Sequence, residues 1–300
     1  MDSLDGRVAI VTGAGRGIGA GVARLLAGEG ASVVVNDLGA ALDGSGAEAE
    51  PAQQVASEIT AAGGAAVADG SDVADHAAAD KLVRTAIDEF GKLDIVVNVA
   101  GILRDRMVFN MTETEWDAVV RVHMRGSFNT VRHAASYWRG LRDPHAHHRI
   151  INFTSVSGLR GAPGQPNYAA AKMGIAGFTW SCSNALGRYG VTANAISPSA
   201  TTRMTESVPE DRRRSRQATT DERAPDNVAP MVAYLASEAS DWLTGRVIGA
   251  GGYEVSLWSN PEQIRQITTT GPWDLDRLAG LVERTFRPAV EDPIQAAATQ

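Results

Sequence analysis

Short apolar runs alternate with amphipathic stretches along most of this 300-residue chain. Seven runs predict buried strands: Val8–Val11, Ser32–Asn36, Ala65–Asp69, Ile95–Asn98, Ile150–Thr154, Thr192–Ile196 and Arg246–Gly249. Six stretches between them predict helices: Ile18–Glu29, Pro51–Ala62, Asp75–Phe90, Glu113–Trp138, Tyr168–Tyr189 and Asp226–Ala236. Because such alternation builds a parallel sheet with helices on both faces, the pattern predicts a single doubly wound, Rossmann-type α/β domain with a seven-stranded parallel sheet.

Three segments interrupt this alternation. Leu38–Glu50 is rich in glycine and alanine and predicts a surface insertion after the second strand. Ser199–Pro225 is polar. We expect the domain to span residues 1–252 and residues 253–300 to form a C-terminal extension, in which Asp274–Phe286 has helical spacing. The aromatic residues of the extension favour packing on the domain or on a partner chain over disorder.

Composition and charge narrow the classes of function. The net charge of −7 argues against nucleic-acid binding, which needs a basic face. The single cysteine, Cys182, excludes an internal disulfide and fits a reducing compartment. No apolar run approaches the ~20 residues that span a bilayer, and the polar Met1–Gly6 leaves no room for a signal peptide. We therefore expect a cytoplasmic protein without nucleic-acid or membrane partners.

The first predicted strand runs into a glycine-rich turn, Thr12–Gly19, and a helix follows at once. Glycines at Gly13, Gly17 and Gly19 would let the backbone approach a ligand closely. The helix N-terminus then offers N–H groups and a partial positive charge to a pyrophosphate. The alternative is a flexible loop, because the chain holds 31 glycines. The strand before the turn and the helix after it favour dinucleotide binding.

Asp37 ends the second predicted strand, where a carboxylate can accept hydrogen bonds from the adenosine ribose hydroxyls. It would repel a 2′-phosphate, since two like unit charges at ~4 Å and an effective dielectric constant of ~20 repel by ~4 kcal/mol. No basic residue adjoins Asp37 in the sequence. The sequence therefore predicts NAD rather than NADP, and the alternative is an acidic residue that merely ends a strand.

From residue 7 to about residue 252 the chain resembles the short-chain dehydrogenases/reductases. The motifs that carry the resemblance are Thr12–Gly19, Asp72–Val73, Asn98–Gly101 and Tyr168–Lys172. In particular, the chain is similar to the (3R)-hydroxyacyl-CoA dehydrogenase unit of peroxisomal multifunctional enzyme type 2 in Val35–Gly39, Gly101–Arg106 and Arg121–Phe128. The resemblance implies these cofactor contacts: Gly13, Arg16, Gly17, Ile18, Gly19, Asp37, Asp72, Val73, Asn98, Ala100, Gly101, Tyr168 and Lys172.

Hydride transfer at a carbinol needs a base for the hydroxyl proton, and Tyr168 is the predicted acid/base. A free tyrosine titrates near ~10. Lys172 lies four residues later on the same helix face, and its charge and that of nicotinamide are expected to lower the Tyr168 pKa. Ser155 is expected to bond the substrate oxygen, with Ser157 as its rival. Taken alone, Tyr168 and Lys172 could be an ordinary exposed helix pair.

The sequence departs from the family pattern at two positions. His123 stands where the family usually has an active-site Asn, so we expect His123 to belong to a proton relay rather than to act as a general base. Val99 replaces a common Asn and should mainly affect packing.

Two clusters are assigned no chemistry. His145, His147 and His148 have no acidic or cysteine partner at metal-ligand spacing, so they predict a solvated loop, and no metal is expected. Arg212–Arg216 predicts a solvated face, and the alternative is contact with the phosphates of an acyl-CoA.

The sequence thus predicts an NAD-dependent oxidoreductase that converts a 3-hydroxyacyl-CoA to the 3-oxoacyl-CoA and forms a homodimer or homotetramer. The enzyme alternatives are a 3-oxoacyl thioester reductase and a hydroxysteroid dehydrogenase. The remaining alternative is a nucleotide-binding sensor or scaffold, and the intact set of Ser155, Tyr168 and Lys172 argues against it.

Overall fold

A computed structural model of the chain describes residues 3–47, 49–200, 222 and 224–291. The chain divides into two compact units, Met1–Trp258 and Ser259–Gln300. The first unit ends beyond the predicted domain end at Gly252, because the residues after Gly252 form a strand of the sheet. The basic cluster Arg212–Arg216 lies outside the described residues.

The described strands form one sheet: β1 (Val8–Thr12), β2 (Ser32–Asn36), β3 (Ala65–Asp69), β4 (Ile95–Asn98), β5 (His148–Phe153), β6 (Val191–Pro198), β7 (Val247–Gly251) and β8 (Glu254–Trp258). Their order is β3-β2-β1-β4-β5-β6-β7-β8. Strands β1 to β7 pair in parallel, and β8 pairs antiparallel with β7. The predicted doubly wound α/β fold is confirmed.

The predicted count of seven strands is wrong by one, because β8 adds an antiparallel edge strand. Gly252 has a φ of 59° in the tight turn that joins Gly251 to Glu254, and this is a conformation that glycine adopts without steric cost. Strand β8 is only five residues long and follows β7 closely, so the sequence pattern assigned it to the C-terminal extension and not to the sheet.

The described helices are α1 (Gly17–Gly28), α2 (Glu50–Ala61), α3 (His76–Phe90), α4 (Glu113–Val120), α5 (Gly126–Leu141), α6 (Val156–Arg160), α7 (Pro166–Leu186), α8 (Ala229–Ala236), α9 (Leu275–Thr285) and α10 (Arg287–Val290). The single helix predicted over Glu113–Trp138 is divided between α4 and α5 by a π-helical turn at Arg121–Arg125. Such turns inside helices occur frequently at functional sites. The predicted helical spacing of Asp274–Phe286 is confirmed by α9.

The inner strands β1, β2 and β4 to β7 are largely buried on both faces, as parallel strands between two helical layers must be, whereas the edge strands β3 and β8 are largely exposed or partly exposed. Val11 of β1 belongs to a core cluster with Leu26 of α1, whereas the preceding Ile10 belongs to a second cluster with Leu82 of α3. Successive side chains of a strand point to opposite faces, so the two clusters lie on the two sides of the sheet. Among the described residues, no helix is long and apolar enough to cross a membrane.

The strand order reverses between β1 and β4, and in open α/β sheets ligands bind at such a point, outside the carboxyl ends of the strands. Thr12 ends β1, and its Oγ1 accepts hydrogen bonds from the backbone N–H groups of Val99 at 3.1 Å and Ala100 at 3.2 Å. These bonds fix the ends of β1 and β4 beside each other, and the candidate site lies at this edge.

Candidate active site

A cavity of about 410 Å³ lies where β1, β2, β4 and β5 end. Nearly all the predicted cofactor contacts line it: Gly13, Arg16, Gly17, Ile18, Gly19, Asp37, Asp72, Val73, Ala100, Gly101, Tyr168 and Lys172. The predicted catalytic residues Ser155 and His123 line the same cavity. The structure therefore brings together residues that the sequence spreads over most of the domain.

Asn98 is the one predicted cofactor contact that does not line this cavity. Its side chain is buried, where Asn98 Nδ2 donates to Asn152 Oδ1 at 2.9 Å and Asn98 Oδ1 accepts from Thr130 Oγ1 at 2.7 Å. Asn98 thus joins β4 to β5 and to α5. The Asn98 side chain therefore connects elements of the fold, and its direct contact with the cofactor stays a prediction.

The glycine-rich turn brings backbone to the floor of the cavity. Gly13 has a φ of 65°, and a Cβ at this position would lie 2.7 Å from the Cα of Ala100. Helix α1 follows the turn, and Arg16 at its N-cap makes no side-chain capping bond. A cleft that only glycine fits, beside an N-terminus without a side-chain cap, suits the pyrophosphate of a dinucleotide.

Two backbone amides hold the Asp37 carboxylate beside this turn. Gly15 N donates to Asp37 Oδ2 at 2.8 Å, and Gly39 N donates to Asp37 Oδ1 at 2.7 Å. In the described parts of the chain, no lysine or arginine forms an ion pair with Asp37. The carboxylate is thus oriented at the cavity wall without a basic partner there.

Asp72 lies at the cavity wall in an ion pair that sequence reasoning missed. Arg121 NH2 donates to Asp72 Oδ2 at 2.6 Å, and Ala74 N donates to Asp72 Oδ1 at 2.9 Å. Arg121 comes from the π-helical turn and also lines the cavity. The two residues are 49 positions apart in the sequence, so only the folded structure reveals that they pair.

The insertion predicted at the surface also contributes to the cavity, through Leu38, Ala40, Ala41, Leu42 and Gly44. Leu103 N donates to Leu42 O at 3.0 Å, and Arg104 Nε donates to Asp43 O at 2.9 Å. The insertion is therefore bound to the loop after β4. Leu38 and Leu42 are the apolar residues of this glycine- and alanine-rich segment that could have indicated its contact with the cavity.

Tyr168 and Lys172 lie one turn apart in the first half of α7. Lys172 is buried, and its Nζ donates to Phe153 O at 2.7 Å and lies 5.6 Å from the centroid of the Tyr168 ring. Ser155 lies at the N-cap of α6, where its Oγ accepts from Ser157 N at 3.1 Å. Because Oγ accepts that bond, the hydroxyl proton of Ser155 can be donated towards the cavity. The hydroxyl of Ser157, in contrast, donates a hydrogen bond to Gln165 Oε1.

The pKa of Tyr168 in this structure reflects the burial of its phenol. Burial raises the pKa of Tyr168 to about 12, and the Asp105 charge adds to the effect, while a hydrogen bond from Ser155 opposes it. Burial also lowers the pKa of Lys172 to about 7. Among the groups of the protein, loss of solvent outweighs the stabilisation of the phenolate by its neighbours, and the expected lowering by Lys172 together with bound nicotinamide stays a prediction.

His123 lies in the π-helical turn and is almost fully buried. Its Nε2 lies 2.8 Å from Ile102 O and 3.1 Å from Ile102 N, and its Nδ1 has no hydrogen-bond partner among the described residues. Burial, helped by the Lys172 charge and opposed by the Ile102 bond, lowers the pKa of His123 well below its usual value. The imidazole is therefore neutral at physiological pH.

Of the three histidines that the sequence assigned to a solvated loop, His145 is exposed and His147 partly exposed, whereas His148 is buried in β5. His148 is buried and stacks on Trp138 with 4.8 Å between ring centroids, and His147 Nδ1 lies 2.8 Å from an Asp241 carboxylate oxygen. The loop prediction is wrong for His148 because it begins β5. Within the described ranges, no group of His, Cys, Asp and Glu side chains could hold a metal ion.

The fold and the cavity define a nucleotide-dependent oxidoreductase of the Rossmann type. The family model for short chain dehydrogenases matches residues 7–213. The chain belongs to this family, whose members use NAD(P) and act on CH–OH groups.

Similar proteins agree with this family assignment. Hydroxyacyl-CoA dehydrogenase ChsB1 of Mycobacterium tuberculosis is 43% identical over 298 residues, which cover 98% of this chain and 92% of that protein. Peroxisomal multifunctional enzyme type 2 of Drosophila melanogaster is 43% identical over 253 residues, 84% of this chain and 40% of that protein. A crystal structure of a short chain dehydrogenase from Mycobacterium avium has a TM-score of 0.84 and 49% identity, covering 95% of this chain and 96% of that one. The predicted resemblance is confirmed.

Proposed function

We propose that this protein is an NAD-dependent dehydrogenase that oxidises a 3-hydroxyacyl-CoA to the 3-oxoacyl-CoA. The observation that carries the proposal is the convergence of Ser155, Tyr168 and Lys172 on the cavity that the glycine-rich turn also lines. A protein that only binds a nucleotide has no need of these three side chains together, so a sensor or scaffold role is disfavoured.

The environment of Asp37 supports NAD over NADP. Its carboxylate is held at the cavity wall by two backbone N–H groups, and no basic side chain pairs with it among the described residues. A 2′-phosphate near this position would meet a like charge, whereas ribose hydroxyls could donate hydrogen bonds to it.

The acyl-CoA substrate is supported by the relatives' names. The mycobacterial relative named as a hydroxyacyl-CoA dehydrogenase aligns with nearly the whole of both chains. A multifunctional enzyme type 2 aligns with a similar portion of this chain. A reductase acting on 3-oxoacyl thioesters and a hydroxysteroid dehydrogenase remain the competing substrate assignments.

In the proposed reaction, each residue of the site has a separate role. When bound, NAD supplies the hydride acceptor and a positive charge on its nicotinamide ring. Ser155 donates a hydrogen bond to the substrate oxygen and keeps its proton, and Tyr168 removes the substrate's hydroxyl proton. Positive charge in the cavity lowers the Tyr168 pKa from about 12, and the buried Lys172 contributes when its ammonium is charged. His123 is neutral and supports the Tyr168 ring.

The proposal is tested by a substrate panel with NAD and NADP, followed through the absorbance of reduced nicotinamide. We expect oxidation of 3-hydroxyacyl-CoAs with NAD. Tyr168→Phe should abolish turnover and change NADH binding only a few-fold, because the ring remains and only the transferable proton is lost. Retention of more than about a tenth of the wild-type kcat would mean that another acid/base exists.

The competing assignments give different results in the same panel. Reduction of 3-oxoacyl thioesters without measurable oxidation would identify a reductase, and turnover of steroid alcohols alone would identify a hydroxysteroid dehydrogenase. Tight NADH binding without turnover of any alcohol or ketone would identify a sensor or scaffold.

We also propose a cytoplasmic homodimer or homotetramer. Phe128 of α5 and Met173 of α7 are partly exposed apolar side chains on neighbouring helices, and burying such side chains stabilises association. The one cysteine, Cys182, is a free, buried thiol, which fits a reducing compartment. Light scattering tests the assembly, and a monomer at micromolar concentration would contradict it.

A further inference from the structure

The loop after β4 is fastened to the beginning of α7 by several hydrogen bonds. Gln165 Nε2 donates to Asp105 Oδ2 at 2.8 Å, and Arg106 N donates to Gly164 O at 2.7 Å. Asn167, which is fully buried, donates from Nδ2 to the carbonyl oxygen of the residue before Asp105 at 2.9 Å. Asp105 is therefore held close to the helix turn that carries Tyr168.

The bond between Gln165 and Asp105 continues to the catalytic serine. Ser157 Oγ donates to Gln165 Oε1 at 2.9 Å, and Ser157 N donates to Ser155 Oγ at 3.1 Å. An ionised carboxylate can only accept, so the amide of Gln165 must present its nitrogen to Asp105 and its oxygen to Ser157. Ser157 thus donates in two directions, through its hydroxyl to Gln165, which donates in turn to Asp105, and through its backbone N to Ser155 Oγ.

Few charges face Tyr168 from the elements around it. Lys172 lies on its own helix, His123 faces it from the π-helical turn as a neutral ring, and Asp105 faces it from the loop after β4. Ser155 contributes a neutral hydrogen bond from the turn after β5. Asp105 is the negative charge in this set, and it raises the pKa of Tyr168.

The arginines on either side of Asp105 bond to other partners. Arg104 Nε donates to Asp43 O at 2.9 Å, and Arg106 NH2 forms an ion pair with Glu115 Oε1 at 2.9 Å. In the described ranges of the chain, Asp105 has no ion pair. Its charge therefore acts on the site without a cation beside it, although water screens it because the side chain is exposed.

We infer that Asp105 and Gln165 are positioning residues of the dehydrogenase site. Gln165 joins the Asp105 carboxylate and the Ser155 turn into one hydrogen-bonded unit, which holds the carboxylate in place beside the site so that its negative charge contributes to the pH at which Tyr168 exchanges its proton. The inference rests on the proposed function. Neither residue needs to contact the reacting atoms.

Two variants distinguish the effect of the Asp105 charge from the effect of the Gln165 hydrogen bonds. Asp105→Asn keeps an oxygen that can accept from Gln165 and removes only the charge, whereas Gln165→Met keeps the charge and removes both side-chain bonds. Asp117→Asn, at an exposed carboxylate on α4, is the matched control for the loss of one negative charge. NADH binding by each variant serves as the check that the fold is intact.

Two readouts are used, and one needs no substrate. The pH profile of kcat is measured for alcohol oxidation. Tyrosine ionisation is followed by absorbance in the NAD complex of each variant, with the same variant carrying Tyr168→Phe as the reference. The absorbance titration reports on Asp105 even if no 3-hydroxyacyl-CoA is oxidised, so a failure of the proposed function and a failure of this inference can be distinguished.

We expect Asp105→Asn to move both titrations to lower pH by roughly half a unit, the size of one partly solvated charge at short range. Asp117→Asn should move neither. Gln165→Met should lower kcat roughly fivefold with a smaller change in KM, because the Ser155 turn loses its support. The inference is overturned if Asp105→Asn leaves both titrations unchanged, or if Gln165→Met retains the wild-type kcat.

Discussion

The imidazole of His123 meets the ring of Tyr168 edge-on, with 5.2 Å between the ring centroids and an angle of 85° between the planes. The same imidazole bonds to the backbone of Ile102 through Nε2 and fills the space beside Gly101. One buried, neutral side chain therefore fixes both the predicted acid/base and the loop after β4. This arrangement gives His123 a packing role in the site, and its membership of a proton relay stays a prediction.

Gly101→Ala should disturb this arrangement, because the added Cβ would collide with Cε1 of His123. We expect the free energy of unfolding to fall by about 1–3 kcal/mol, the usual cost of overpacking, and kcat to fall with it. Chemical denaturation and initial rates measure the two effects.

The control is the same substitution in a His123→Ala background, where the space beside Gly101 is empty. There Gly101→Ala should have little further effect, so the double-mutant cycle should give a coupling energy near the full cost of the single variant. Equal costs in both backgrounds would show that the collision is not the cause.

Much of the fold could be predicted because its signal is local. The buried run Val8–Val11 followed by the turn Thr12–Gly19 specifies a strand, a close backbone approach and a helix within a few residues. The spacing of Tyr168 and Lys172 likewise specifies one helix face. These features depend on neighbours in sequence, and the structure has all of them.

Features that depend on packing could not be predicted. The side chain of Asn98 forms hydrogen bonds with Thr130 and Asn152, which are remote in sequence. The π-helical turn at Arg121–Arg125 leaves the helical spacing nearly unchanged, so the pattern suggested one continuous helix. The Tyr168 pKa depends on how far the phenol is buried, which only the assembled cavity determines.

Asp37→Ala should weaken NADH binding by about tenfold or more and reduce the preference over NADPH. The carboxylate would no longer accept ribose hydrogen bonds, and its repulsion of a 2′-phosphate would be lost. Fluorescence titrations with both reduced cofactors measure the change. Asp43→Ala is the control and should leave the preference intact, because this carboxylate lies on the insertion that follows Asp37 and accepts a hydrogen bond from Ser45. A wild-type preference for NADPH would make the NAD assignment wrong.

Truncation after Trp258 tests the C-terminal extension. Every described residue that lines the cavity lies in the first compact unit, so the shortened protein should still bind NADH. Helix α9 carries Leu278, Leu281 and Val282 at helical spacing, and such a stripe favours burial against a protein surface. We therefore expect the truncation to change the molecular mass by light scattering or to lower turnover.

A second truncation, after Val255, provides the comparison. It removes part of β8, which pairs with β7 throughout its length, and should therefore destabilise the first unit as well. Unchanged mass and turnover in the protein that ends at Trp258 would contradict a role for the extension.

His148 should make the protein less stable in mild acid. It is buried against Trp138, neither of its ring nitrogens has a hydrogen-bond partner among the described residues, and burial lowers the pKa of His148 to about 4. In the unfolded chain a histidine titrates near ~6.5, so the unfolded state binds more protons between these two pH values. The free energy of unfolding should therefore fall as the pH falls through this window, by at most ~1.4 kcal/mol per pH unit for this residue.

His148→Phe should flatten that dependence, because phenylalanine can stack on Trp138 and binds no proton. A residual slope is expected, since the pKa values of His123 and His133 are also lowered by burial and act in the same direction. His145→Phe, at an exposed histidine in the same segment, is the matched control and should retain the wild-type slope. Urea unfolding at several pH values between ~4 and ~6.5 measures the slopes. Parallel slopes for the wild type and His148→Phe would show that His148 is not the group whose protonation destabilises the fold.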